Sequence, residues 1–236
     1  MKLAVIPARG GSKRIKKKNT RQFAGKPIIA HTILVALGSG LFDRVIVSTD
    51  DSDIATVAEA YGADVPFIRP AHLADDHAVI ADVVRHAVEW FEQKGQYFAA
   101  IGCLYATAPL IQPRYLKQGL EIIEQGQADF SLSVTTFPYP IQRALKCDEQ
   151  GLLQMAQPEY ALTRSQDLPD CFHDAAHFYL GTADAFKGNV QSPRTAGIQV
   201  PRYLVQDIDT EEDWQFAELI YQAHQAQQIQ KFQENS

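Results

Sequence analysis

The stretch Ala4-Val-Ile-Pro-Ala-Arg-Gly-Gly-Ser-Lys-Arg-Ile-Lys-Lys-Lys-Asn19, followed by Phe23-Ala-Gly-Lys-Pro27, decides the fold. Its apolar start, Leu3 to Ile6, reads as a buried first strand. The chain then breaks into Pro7 and the Gly10-Gly11 pair. From Arg9 to Arg21 it carries seven cations (Arg9, Lys13, Arg14, Lys16, Lys17, Lys18, Arg21) and no acid. Because the whole chain is net −6, this positive density is local. A glycine turn at a strand end lets backbone N–H groups close on phosphate oxygens, while cations neutralise their charge. The run therefore predicts a grip on a polyphosphate. It has neither the Gly-x-x-x-x-Gly-Lys-Ser/Thr frame of a Walker loop nor a Gly-x-Gly-x-x-Gly fingerprint. The competing reading is a solvated basic loop or nucleic-acid patch. Its position directly behind a core strand, where open α/β sheets bind ligands, favours the phosphate.

At 236 residues and 46% hydrophobic composition, the chain is expected to form one α/β domain with a full core. A pI near 5.6 argues against a general nucleic-acid binder. No apolar run approaches the ~20 residues of a membrane span. The first cations follow the apolar segment rather than precede it, the wrong order for a secretory signal, so a soluble cytoplasmic protein is expected. Cys103, Cys147 and Cys171 are odd in number and lack Cys-x-x-Cys spacing, which disfavours disulfide or zinc frameworks.

Strand-like and helix-like segments alternate through the first half, the pattern of a parallel sheet covered on both faces. Strands are expected at Leu3–Ile6, Val45–Val47, Val65–Ile68 and Ala99–Leu104. Helices are expected near Ile28–Leu37, Ile54–Tyr61 (capped by Asp50 or Ser52), Ile80–Gln93 and from Pro113 through Ile123. From 137 to 170 four prolines interrupt the pattern and suggest an excursion serving as a dimer arm or substrate lid. Strands return at Phe178–Leu180 and Tyr203–Val205. A last helix begins at Thr210 with the acids Glu211–Asp213, and the glutamine-rich end beyond His224 is expected to fray.

Asp207-Ile-Asp209-Thr210 is the second signal. Aspartates at i and i+2 of an extended segment project to one side, where two carboxylates can hold Mg²⁺. Helix capping is the alternative, and the phosphate loop tips the reading towards metal. Tyr105-Ala-Thr107-Ala-Pro109 follows a buried strand, either as a ligand-facing loop or as an ordinary turn. His173 and His177 have zinc spacing only on a helix, and the flanking residues read as strand, favouring packing or a polar substrate contact. No nucleophile elbow or general base emerges.

Taken together, Ile-Pro-Ala-Arg9-Gly-Gly-Ser12-Lys13, Lys18-Asn19, Gly25-Lys-Pro27 and Phe42-Asp-Arg-Val-Ile-Val-Ser-Thr-Asp50 resemble the CMP–sugar-acid synthetases, the CMP–N-acylneuraminate synthetase family. Arg69-Pro-Ala-x-Leu-Ala-x-Asp76 and Asp207-x-Asp209-Thr210-x-x-Asp213 extend the resemblance over nearly the whole chain. Within that family it is most similar to the branch acting on pseudaminic acid, through Leu-Ala-Asp75-Asp76-His77, Leu104-Tyr-Ala-Thr-Ala-Pro109 and Phe172-His-Asp174. It departs at Tyr105-Ala106-Thr107-Ala108-Pro109, where sialic acid enzymes usually carry Gln-Pro-Thr-Ser-Pro, and at Lys16, where proline is common.

The resemblance implies a Rossmann-like nucleotidyltransferase fold with a mostly parallel central sheet, in a homodimer that exchanges the arm near 137–170. It implies CTP as cosubstrate, Mg²⁺ as cofactor and an acidic nine-carbon 2-keto sugar as acceptor. Legionaminic, sialic or Kdo acid are alternative acceptors, and a non-catalytic nucleotide-binding regulator is the alternative class. By position, Arg9, Gly10, Gly11, Ser12, Lys13, Lys18 and Asn19 are implied to hold the nucleotide, with Arg69, Asp76 and Thr107. Asp207 and Asp209 are implied to hold the metal, and with Arg9 and Lys18 to be catalytic. Tyr105, Arg143, Arg164, His173 and Asp174 are implied on the sugar side, where a guanidinium suits a carboxylate.

Overall fold

The structure is a computed structural model that describes residues 1–75, 78–188 and 194–234. The first strand, β1 (Lys2–Pro7), has its four central residues fully buried, as an apolar run in the middle of a sheet must. After the cationic loop, the two-residue strands β2 (Gln22–Phe23) and β3 (Lys26–Pro27) pair antiparallel and lead into α1 (Ile28–Gly38). Next come β4 (Arg44–Ser48), α2 (Ser52–Ala60), α3 (Ile80–Glu92), β5 (Ala100–Leu104) and α4 (Pro113–Glu124). The second half holds β6 (Phe130–Thr136), β7 (Leu145–Cys147), β8 (Leu153–Met155), β9 (Phe172–Thr182), α5 (Ala183–Lys187), β10 (Thr195–Gln199) and α6 (Glu211–Glu234).

Six strands form one sheet in the order β10-β6-β9-β5-β1-β4. All neighbours run parallel except β9, which is antiparallel to both β6 and β5. This is the mostly parallel sheet expected. Apolar side chains cover both faces. Ile29, Ile33, Ile54, Leu116 and Leu120 of α1, α2 and α4 pack on one. On the other lie Val84, Val88 and Phe91 of α3 with Phe186 of α5. Burying a Val, Leu, Ile or Phe side chain contributes roughly 1.5–3 kcal/mol.

A third cluster fixes the site. Ile15 of the cationic loop and Phe23 pack with Ile208, Trp214 and Ala217, so the start and the end of the chain share one small core. Arg21 adds its guanidinium over the Trp214 ring at 4.4 Å and an ion pair to Glu211 at 2.6 Å.

Several sequence expectations are corrected. The cap of α2 is Asp51, which accepts from the N–H groups of Asp53 and Ile54 at 2.8 and 3.1 Å, rather than Asp50 or Ser52. Val65–Ile68 forms no strand; Asp64 and Ile68 make isolated parallel bridges to Ile46 and Thr49. Tyr203 lies in a 3₁₀ turn, Arg202–Leu204, behind Pro201. The glutamine-rich end stays helical to Glu234, consistent with glutamine's good helix propensity and the lack of Gly or Pro.

The segment 137–170 does leave the sheet. Thr136 and Phe172 are register partners on β6 and β9, so the excursion is the loop of a long hairpin, carrying its own small sheet of β7 and β8. It exposes large apolar groups, with Leu162 98% and Tyr139 80% accessible.

Candidate active site

A cleft of about 630 Å³ opens at the carboxyl ends of β1 and β5, the ligand edge of an open α/β sheet. Arg9, Ser12, Lys13, Lys18 and Asn19 line it from the first loop; Arg69, Tyr105, Thr107 and Asp209 close the other sides. Residues far apart in sequence are thus gathered around one space.

The cationic loop is held from behind. Asn19 donates its Nδ2 to the Arg9 carbonyl at 3.0 Å, and Arg9 Nη1 reaches the Asp75 carbonyl at 3.1 Å. Asp50, on the turn after β4, accepts from the Gly10 N–H at 3.1 Å and from Arg69 Nη2 at 3.3 Å. Gly10 is required by close approach: a Cβ there would stand 2.4 Å from Asp51 Oδ2. Gly11 faces open space.

Arg69 is buried, and its Nε has no hydrogen-bond partner among the described residues. Burial lowers its pKa, and the Asp50 hydrogen bond opposes that shift. A buried guanidinium N–H without an acceptor carries a desolvation cost.

Across the cleft, Lys18 Nζ donates to the Ile208 carbonyl at 2.6 Å and stands 3.4 Å from Asp209 Oδ1. Arg14, which the sequence reading counted as a cation without giving it a site, pairs with the same oxygen at 2.8 Å. Asp207 is exposed; desolvation first, then the Asp209 charge, raise its carboxyl pKa against the opposing pull of Lys18. Asp213 shapes this turn. One of its oxygens accepts from the N–H groups of Asp209 and Thr210 and from the Thr210 hydroxyl, at 3.1, 2.8 and 2.8 Å. The Thr210 hydroxyl in turn accepts from the Asp213 N–H, a reciprocal cap that starts α6.

The remaining residues sit elsewhere. Arg143 donates to the Thr163 carbonyl and Arg164 pairs with Asp167, both within the arm and outside the cleft lining of this single chain. His173 packs on Phe137 at the arm's root, while Asp174 meets Tyr179. His177 is a core group: burial lowers its pKa to about 4, and a hydrogen bond to the Leu204 backbone opposes the shift. Asp76 lies outside the described residues. Asp50 and Tyr179 join the site without being among the residues the sequence predicts for it; in sequence Asp50 reads as a helix cap.

Fold and cleft together define a nucleotidyltransferase class of α/β protein. Along 94% of its length the chain superposes on CMP:2-keto-3-deoxy-manno-octonic acid synthetase complexed with CTP, covering 99% of that chain (TM-score 0.69, 17% identity). A family model described as cytidylyltransferase matches residues 3–235, and the chain belongs to that family. It is 44% identical to pseudaminic acid cytidylyltransferase of Campylobacter jejuni, over 94% of this chain and 97% of that protein. It is 40% identical to the CMP-N,N'-diacetyllegionaminic acid synthase of Legionella pneumophila, over 66% of each.

Proposed function

We propose that this enzyme transfers CMP from CTP to the anomeric hydroxyl of pseudaminic acid, with release of pyrophosphate. The observation that carries the reading is the convergence of Arg9, Lys18 and Asp209 on one cleft, in a chain 44% identical to a pseudaminic acid enzyme over 94% of its length. The legionaminic reading rests on a match over only 66%.

The sugar hydroxyl attacks the α-phosphorus in line. Charge grows on the leaving β- and γ-phosphates, and Arg9, Lys13 and Lys18 provide fixed positive groups for it. Asn19 and Asp50 keep the loop from rearranging as that charge moves. Asp207 and Asp209 fit Mg²⁺: they are two hard carboxylates whose mutual repulsion adds to the desolvation that raises the Asp207 pKa, and a shared cation relieves it. Bound there, Mg²⁺ supplies Lewis-acid neutralisation of the phosphate oxygens. The exposed apolar arm supports a homodimer, and cytosolic CTP supports a cytoplasmic site of action.

The test is a pyrophosphate-release panel crossing four nucleoside triphosphates with pseudaminic, legionaminic, sialic and Kdo acids, with and without EDTA. Turnover confined to CTP with pseudaminic acid and abolished by EDTA is expected. Turnover with another acid would reassign the acceptor, and its absence with every acid would overturn the reading.

A further inference from the structure

One wall of the cleft carries a hydrogen-bond chain whose direction is fixed. Tyr105 lines the cleft, and its hydroxyl lies 3.1 Å from that of Tyr179 on β9. Tyr179 in turn donates to Asp174 Oδ2. The other oxygen of Asp174 is held by the Ala176 N–H at 2.7 Å, where the strand kinks through a left-handed residue (φ 51°). A carboxylate can only accept, and a neutral phenol has one proton. Because Tyr179 spends its proton on Asp174, Tyr105 must donate to Tyr179. The Tyr105 oxygen is then left with lone pairs alone.

We infer that Tyr105 presents the acceptor sugar with an oxygen that can only accept, so this wall takes an amide N–H or hydroxyl of the sugar and turns away its carboxylate. The inference rests on the sugar-acid transfer proposed above. It makes Tyr179 and Asp174 positioning residues, acting on the substrate only through Tyr105. Burial keeps both phenols protonated through the neutral range, raising Tyr105 to about 12 and Tyr179 further.

The test measures KM separately for sugar acid and CTP in the wild type, Tyr105→Phe, Tyr179→Phe and Asp174→Ala. Each enzyme is assayed with the natural acid and with analogues whose amide nitrogens are methylated or hydroxyls removed one at a time. Tyr105→Phe is expected to raise KM for the sugar acid about tenfold, the worth of one such hydrogen bond, and Tyr179→Phe and Asp174→Ala to raise it by a smaller factor through the freed Tyr105 proton, with KM for CTP unchanged. For one analogue the wild type should already show that loss and the variants add nothing to it. An equal rise in KM for CTP, a penalty common to every analogue, or an effect of Tyr105→Phe alone would overturn the inference while leaving the transferase reading intact. A wild type inactive with every sugar acid would remove both.

Discussion

Lys18 Nζ and Asp209 Oδ1 stand 3.4 Å apart, although 191 positions separate them in the chain. The contact closes the cleft between the first loop and the segment before the last helix. Its apolar backing, Ile15 and Phe23 against Ile208 and Trp214, holds the two segments together so that the charges stand opposed.

Asp209→Ala removes the shared partner of Lys18 and Arg14 and half of the carboxylate pair. We expect kcat to fall by at least about 10²-fold. The circular dichroism spectrum should be unchanged, because Asp213, and not Asp209, caps the helix. A folded variant with a near-normal rate would contradict the metal assignment.

Lys18→Ala separates two roles for this cation. If the ammonium acts on charge developing at the phosphates, kcat drops about 10²-fold. A change confined to KM for CTP would make it a ground-state binding group. Steady-state pyrophosphate release across a CTP titration decides between them.

Gly10→Ala places a Cβ against the Asp51 carboxylate. The expected cost is about 1–3 kcal/mol in urea unfolding, the usual range for overpacking, together with weaker CTP binding. Adding Asp51→Ser keeps a helix cap while removing an oxygen, so the double variant should regain most of the loss. If it regains nothing, the clash is not the cause.

Acid should destabilise the fold through His177. Its folded pKa, about 4, is below the ordinary value of 6.5, so between these limits the unfolded chain binds the extra proton. Stability is therefore unaffected by this group above pH 6.5 and falls as pH drops towards 4, by on the order of 3 kcal/mol. His31 and His86, both with pKa lowered chiefly by burial, add to the same trend. His177→Gln should flatten the slope of melting temperature against pH over that window; an unchanged slope would exclude His177 as the source.

Leu162→Asp probes the arm, since this residue is 98% exposed in one chain. If the arm is exchanged in a homodimer, sedimentation should shift towards monomer while circular dichroism holds. A wild type that sediments as a monomer would refute the assembly.

Most of the first half of the fold was legible because β1, β4 and β5 are unbroken apolar runs and α3 and α4 bury one face each. β6 was hidden because Ser131, Ser133 and Thr135 occupy fully or nearly buried positions where apolar groups would have announced a strand. Ser133 repays that burial by accepting from the N–H groups of His177 and Phe178, across an irregularity in the β6–β9 register. β10 was equally silent: of Thr195–Gln199 only Ile198 is buried. The cationic loop and the late aspartates were readable as separate motifs. That Asp50 would clasp the loop, and that Tyr179 would link Tyr105 to Asp174, depends on strand order, which no local pattern encodes.

The pairing of Thr136 with Phe172 has one more consequence. Both ends of the proline-rich arm leave from one rung of the same ladder, so its length and surface can change without shifting a strand of the main sheet. The arm can therefore be exchanged as a cassette on a fixed ladder. A swap of this cassette between relatives is the corresponding engineering route.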